Sequence, residues 1–144
     1  MNMNPWIVIF CYLLFLLIFL ITGIISVILI IKGKHKKKSI KAPVISLVIS
    51  TLLLLMLILF AASHPTYYKY NDWSVLGSNI SMVRQKYGDF DLGDVTDNKA
   101  GSVAYYIYTD NGPIMPDHLK HYYYMEYDES GTIQKVFDAC QPGG

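Results

Sequence analysis

The sequence predicts a membrane α-helical hairpin of two transmembrane helices, followed by a small α+β domain with a helix packed on a three-stranded antiparallel sheet. Two long apolar runs lie within the first 62 residues, a lysine-rich stretch separates them, and every acidic side chain comes later. From residue 64 onward, six basic and eleven acidic residues give a net charge of −5. The first part of the chain is too apolar to form the water-facing surface of a soluble domain. We therefore assign residues 1–63 to the hairpin and 64–144 to the domain.

The first apolar run covers residues 6–31 and contains no charged side chain. As a helix it would be roughly 39 Å long, enough to cross a hydrocarbon core of about 30 Å. A cleaved signal peptide would need a basic n-region and a shorter apolar core, and neither is present. This run therefore predicts the first transmembrane helix.

The second run, residues 43–62, is long enough for a second transmembrane helix, and residues 32–42 form the loop between them. Translocation of the loop's many ammonium groups is disfavoured, so we expect a cytoplasmic loop and a two-pass plasma-membrane protein with both termini outside. We interpret the lysines first as a topology signal that faces the membrane lipids; the alternative is that the loop binds anionic lipid or a partner, at about 1 kcal/mol of attraction per lysine beside an anionic leaflet. Nucleic-acid binding is not expected from so short a turn. The basic residues are Lys32, Lys34, Lys36, Lys37, Lys38 and Lys41.

Small hydroxyl residues recur four apart on both helices, as Thr22 and Ser26 on the first and Ser46 and Ser50 on the second. Small residues at matching depth allow two backbones to approach closely, so these four would close the hairpin. The alternative is that serine and threonine are simply tolerated there. Packing through the same helices also leaves homo- or hetero-oligomers open.

The domain after residue 64 opens with Tyr67, Tyr68, Tyr70 and Trp73, which we interpret as an aromatic belt at the membrane interface; a sugar- or peptide-stacking site is the alternative. A short helix is then predicted after Asn79 as N-cap and before Gly88 as C-terminal cap, with an extra turn near Trp73. β-Branched and aromatic runs predict strands at residues 103–109, 121–127 and 132–138, the last two joined by a tight turn.

Strand alternation assigns the two faces of this sheet. Residues 103, 105, 107, 123, 125 and 127 would face the helix. Tyr106, Tyr108, Tyr122 and Tyr124 would form an exposed aromatic platform, a candidate binding surface unless a loop or the membrane covers it. The third strand needs a bulge, because Ile133, Val136 and Phe137 cannot share one face of a regular strand.

No constellation of reactive residues predicts catalysis, a cofactor or a metal site. Asp117, His118 and His121 form the one cluster that resembles a metal site, but residues three apart on an extended segment face opposite ways. Cys11 and Cys140 give no disulfide framework, and a bond between them would require the domain's end to fold back to the membrane. No fingerprint of a hydrolase, P-loop or dinucleotide-binding protein is present. We therefore expect a protein that is not an enzyme.

The stretch Gly-Ser-x-Ile-x-x-Val-x-x-x-Tyr-Gly-x-x-Asp, followed by an aromatic strand and a hairpin, resembles the small BamE/SmpA-like and β-lactamase-inhibitor-like extracytoplasmic domains of bacteria. The resemblance covers residues 76–139, with Phe90 in place of a proline and a membrane hairpin in place of a lipid anchor. It implies a domain that binds proteins without catalysis. The positions that match in order are Gly77, Val83, Tyr87, Gly88, Asp91, Tyr127, Asp128, Gly131 and Ile133.

These observations favour a membrane-anchored extracytoplasmic module that binds a protein partner. Two alternatives stay open: an immunity or inhibitor-type protein at the cell surface, and an accessory subunit of an envelope or transporter complex.

Overall fold

A computed structural model describes residues 5–96, 98–112 and 115–140. The chain divides into two compact units, one of residues 6–62 and one that begins at Ser63 and holds the sheet. Helix α1 spans Pro5–His35 and helix α2 spans Lys41–Ser63. Both are long and apolar enough to cross a membrane.

The basic segment is a tighter turn than residues 32–42 suggested, because α1 continues to His35 and α2 begins at Lys41. Cationic side chains are favourable at a helix C-terminus, where the unpaired carbonyls carry partial negative charge. The amide of Lys36 bonds the carbonyl of Lys32 at 3.1 Å, and the amide of Lys38 bonds that of Gly33 at 2.9 Å. Lys37 has a φ of 49°, the left-handed conformation that commonly ends a helix.

Among its described residues, the second unit contains two short helices and one sheet. Helix α3 spans Asp72–Val75 and α4 spans Ile80–Tyr87, and strands β1 (Gly101–Thr109), β2 (Lys120–Tyr127) and β3 (Ile133–Cys140) pair antiparallel in the order β1-β2-β3. The predicted caps of α4 are confirmed. Asn79 accepts a hydrogen bond from the amide of Ser81 at 2.9 Å, and Gly88 has a φ of 97°.

The core lies between the helices and the inner face of the sheet, which carries Val103, Tyr105, Tyr123, Met125 and Tyr127 as alternation predicts. Ile80 and Val83 of α4 pack into this core, as do residues that were expected at the membrane interface. The aromatic-belt interpretation is wrong for Tyr67 and Tyr70, which are 5% and 2% exposed. The centroid of the Tyr70 ring lies 4.6 Å from that of Tyr123, so these two tyrosines belong to the core of the domain. Trp73, in contrast, is 61% exposed.

A buried carboxylate links α3 to the centre of the sheet. Asp72 is 2% exposed, and its Oδ1 accepts a hydrogen bond from the Tyr123 hydroxyl at 2.8 Å. Its Oδ2 accepts from the Thr66 amide at 3.1 Å and from the Thr66 hydroxyl at 2.6 Å. Three donors therefore replace water around this charge, which makes its burial tolerable.

Two irregularities decide which side chains share a face. The β1–β2 register shifts between Tyr106 and Tyr108, and the β2–β3 register shifts between Glu126 and Tyr127. The predicted bulge in β3 is thus confirmed: Ile133 and Val136 pack with the inner core. Phe137 pairs with Tyr124 on the outer face.

Candidate functional site

The outer face of the sheet carries an aromatic row across all three strands, here called the aromatic face. It consists of two cross-strand pairs, Tyr106 with Tyr122 and Tyr124 with Phe137. The ring centroids are 5.7 Å apart in the first pair and 5.4 Å apart in the second, which is nearly parallel at 11°. Tyr122 and Tyr124 connect the pairs at 6.2 Å. Such spacings stabilise a sheet through cross-strand contacts.

Two of the four residues of the predicted platform differ from their predicted placement. Tyr108 was predicted beside Tyr106 and Tyr122, but the bulge places it opposite His121 and packed against the inner core. Burial raises its pKa to about 12. Tyr122 was predicted as exposed, but it is only 5% exposed.

Three aromatic rings of this face stay partly open to solvent. Tyr106, Tyr124 and Phe137 are half-buried, and the Lys135 ammonium lies 4.7 Å from the Phe137 ring. Burial raises the pKa of Tyr124. Phe137, which sequence reasoning left unassigned, belongs to the surface because the bulge in β3 turns it outward.

Beside the aromatic face lies the free edge of the sheet, formed by β3. At its start, Ile133 exchanges hydrogen bonds with Gly77 and Ser78, both at 2.9 Å. Within the described residues, the backbone after Ile133 bonds only to β2. Peptide groups of an edge strand can pair with a further strand.

A second cluster gathers at one end of the inner face, where β2 begins and β3 ends. His121 and Cys140 are direct cross-strand neighbours, with the Cys140 Sγ 3.6 Å from the His121 Nε2. The same Nε2 lies 3.3 Å from Asp117 Oδ2, and the Nδ1 lies 3.4 Å from Asp138 Oδ1. The Tyr108 ring stacks on the imidazole at 4.5 Å and 6°. We call Asp117, His121, Asp138 and Cys140 the histidine cluster.

The predicted metal-like trio of Asp117, His118 and His121 does not assemble. His118 adopts a φ of 57° and its Nδ1 lies 2.9 Å from Asn111 Oδ1, whereas Asp117 and His121 approach each other. Cys140 was missed, although the hairpin that joins β2 to β3 already placed the end of β3 near the start of β2. Both cysteines are free thiols, Cys11 exposed and Cys140 half-buried.

The histidine cluster contains two carboxyl groups and a thiol around a single imidazole, so its acidic groups outnumber its basic one. Burial raises the pKa of the Cys140 thiol, and the carboxylates of Asp117 and Asp138 raise it further. Burial also raises the pKa of Asp138, against the attraction of His121. The Leu119 amide, 2.8 Å from Asp117 Oδ1, and His121 hold the pKa of Asp117 below its usual value.

In the hairpin, the structure brings one pair of the small residues together. The Ser26 hydroxyl lies 3.1 Å from that of Ser46, and Ser26 and Ser50 are 3% and 5% exposed. Ser50 packs against Gly23: a Cβ atom at position 23 would lie 3.8 Å from the Ser50 hydroxyl oxygen. Thr22 instead donates to the Ile18 carbonyl of its own helix at 2.8 Å.

Comparison of the chain with protein-family models, with curated proteins and with solved structures gives no match. The BamE/SmpA-like resemblance therefore stays a prediction, and the candidate sites rest on the residues and distances described above.

Proposed function

We propose that this protein is a two-pass plasma-membrane protein whose outer domain binds an extended segment of a protein partner along β3 and the aromatic face. The observation that carries the proposal is the open edge of β3 next to the half-buried ring of Phe137. Main-chain pairing supplies affinity in strand addition, and neighbouring side-chain contacts supply specificity. Aromatic side chains are also enriched where proteins bind each other.

A polypeptide fits this surface better than a small ligand does. A strand edge offers a row of peptide donors and acceptors, which a second backbone matches at the same spacing. The bulge and Lys135 interrupt the first part of the edge, so the regular part, residues 136–140, is the proposed docking segment. With a net charge of −5 after residue 63, the domain favours a basic partner segment.

The membrane part of the proposal rests on the two apolar helices and on the exposed lysines between them. The concentration of positive charge at the turn supports a cytoplasmic turn and an extracytoplasmic domain. Single cysteines at Lys36 and Met82, in a chain without Cys11 and Cys140, test this topology. An impermeant maleimide should label Met82→Cys on intact cells and Lys36→Cys only after lysis. Labelling of Lys36→Cys on intact cells would refute the orientation.

Site-specific photocrosslinking in native membranes tests the docking surface. A photoreactive amino acid at Phe137 or Tyr124 should give a discrete crosslinked protein band. The same amino acid at Met82, which is 65% exposed on α4, is the matched control and should give none. Equal products at all three positions, or a product only at Met82, would remove this surface from consideration.

A second set of variants asks whether the side chains contribute to binding. With the photoreactive amino acid at Lys135, the paired changes Tyr124→Ser and Phe137→Ser should remove most of the product. Met82→Ser should leave it unchanged. The identity of the captured protein then separates the three roles: a toxin indicates immunity, a transporter component an accessory subunit, and another envelope protein a general binding module.

A further inference from the structure

We propose that the histidine cluster is a zinc-binding site, with Asp117, His121 and Cys140 as ligands and Asp138 as the carboxylate that orients the histidine. One ligand atom from each of the first three residues lies within 4.8 Å of the other two. They come from the loop before β2, the first residues of β2 and the last residue of β3. A shared ion would therefore join three segments of the domain.

Two of the three separations between the ligand atoms are close to the edges of a zinc coordination tetrahedron. Bond lengths of about 2.0 Å to oxygen, 2.1 Å to nitrogen and 2.3 Å to sulfur give N···O and N···S separations of about 3.3 and 3.6 Å. The His121 Nε2 lies 3.3 Å from Asp117 Oδ2 and 3.6 Å from Cys140 Sγ. The ligand atoms of Asp117 and Cys140 lie within 4.8 Å of each other.

The surroundings of the ligands have the features of an outer coordination shell. Metal-binding histidines usually donate their second ring N–H to a carboxylate, and Asp138 Oδ1 lies 3.4 Å from the His121 Nδ1. The other ring nitrogen, Nε2, is the one that lies near Asp117 and Cys140. Asp117 directs Oδ2 to this point while its Oδ1 accepts a hydrogen bond from the Leu119 amide at 2.8 Å. Tyr108, stacked on the imidazole, fixes the plane of the ring.

Charge and ligand type select the ion. Asp117, Asp138 and the thiolate that Cys140 would form on metal binding would place three anionic groups around one imidazole, and a divalent cation would compensate them. A set of one sulfur, one nitrogen and one oxygen suits zinc rather than calcium or magnesium, which prefer oxygen alone. Three protein ligands leave the fourth tetrahedral position for water, as in open zinc sites. On binding, the Cys140 proton passes to solvent and the thiolate bonds the metal.

Metal titration of the full chain in mild detergent, after removal of metal by a chelator, tests the proposal. Isothermal titration should give one Zn²⁺ per chain, and Co²⁺ should produce a thiolate-to-metal charge-transfer band that Zn²⁺ abolishes. Absence of a one-to-one complex in the unmodified protein would overturn the proposal.

Matched variants then assign the ligands. Cys140→Ser should remove the charge-transfer band and Cys11→Ser should keep it; His121→Ala should abolish binding and His118→Ala should keep it. Asp138→Asn should retain the band with about 10- to 100-fold weaker affinity. Circular dichroism of the metal-free proteins checks that each variant folds, and Cys140→Ala replaces Cys140→Ser if the latter does not. A band that survives loss of Cys140, or equal effects of the two histidine changes, would overturn the assignment.

Discussion

The hydrogen bond between Tyr123 and Asp72 should be a main determinant of the stability of the α+β domain. Both side chains are buried, at 0% and 2% exposure, and the hydroxyl lies 2.8 Å from Oδ1. The change Tyr123→Phe keeps the ring and its contact with Tyr70, so it removes the donor without creating a large cavity. One oxygen of a buried carboxylate then loses its donor, while Thr66 still serves the other.

Hydrogen bonds to charged groups contribute about 1.5–3 kcal/mol, and a buried acceptor left without a donor costs a similar amount. For a domain of this size, 1 kcal/mol corresponds to about 4–8 °C in the midpoint of thermal unfolding. Tyr123→Phe should therefore lower the midpoint by roughly 6–24 °C. The matched control is Tyr124→Phe, which removes the hydroxyl of a half-buried tyrosine on the outer face and should change stability by less than about 0.5 kcal/mol.

The measurement is thermal or urea unfolding of the full chain in detergent, followed by the near-ultraviolet circular dichroism of the tyrosines. A double-mutant cycle with Asp72→Asn isolates the pair and should give a coupling energy of at least about 1 kcal/mol. If Tyr123→Phe and Tyr124→Phe unfold at the same midpoint, the buried network does not stabilise the domain as we infer.

Three further predictions follow from single features of the fold. Gly93→Ala should destabilise the domain more than Gly77→Ala in urea unfolding, because a Cβ at Gly93 would lie 2.6 Å from a backbone oxygen whereas a Cβ at Gly77 would meet open space. Both glycines have a positive φ, so the strain of the backbone is matched. Equal losses of stability in the two variants would contradict this reasoning. Burial raises the pKa of Tyr105 from 10.0 to about 12, so its contribution to stability is present below pH 10 and is lost as pH rises towards 12. Between these pH values Tyr105→Phe should lose less stability than the unmodified chain, and equal losses in urea unfolding would contradict this reasoning. In a chain without its native cysteines, the double variant Ser26→Cys and Ser46→Cys should form a disulfide on oxidation, because the two hydroxyls are 3.1 Å apart. A thiol titration should then find no free thiol, and persistence of both thiols would refute the contact between the helices.

Local signals in the sequence predicted most of the elements. Hydrophobic length predicted α1 and α2, the Asn79 cap and Gly88 bounded α4, and β-branched and aromatic runs predicted the strands within a few residues. These signals work because capping, turn conformation and strand preference depend on neighbouring residues. Even the need for a bulge in β3 was visible, since its apolar residues break the period of two.

Both candidate sites depended on tertiary structure. One extra residue in β1 moves Tyr108 to the inner face, since side chains alternate and a shift of one position exchanges the faces. Tyr67 and Tyr70 are not part of an aromatic belt at the membrane interface, because their rings are buried in the core beside the sheet. His121 and Cys140 meet only through the β2–β3 register, 19 residues apart in the chain. The sequence by itself determined the two apolar helices, the separation of charge and the order of elements, whereas the faces of the sheet and the histidine cluster were decided by pairing between distant residues.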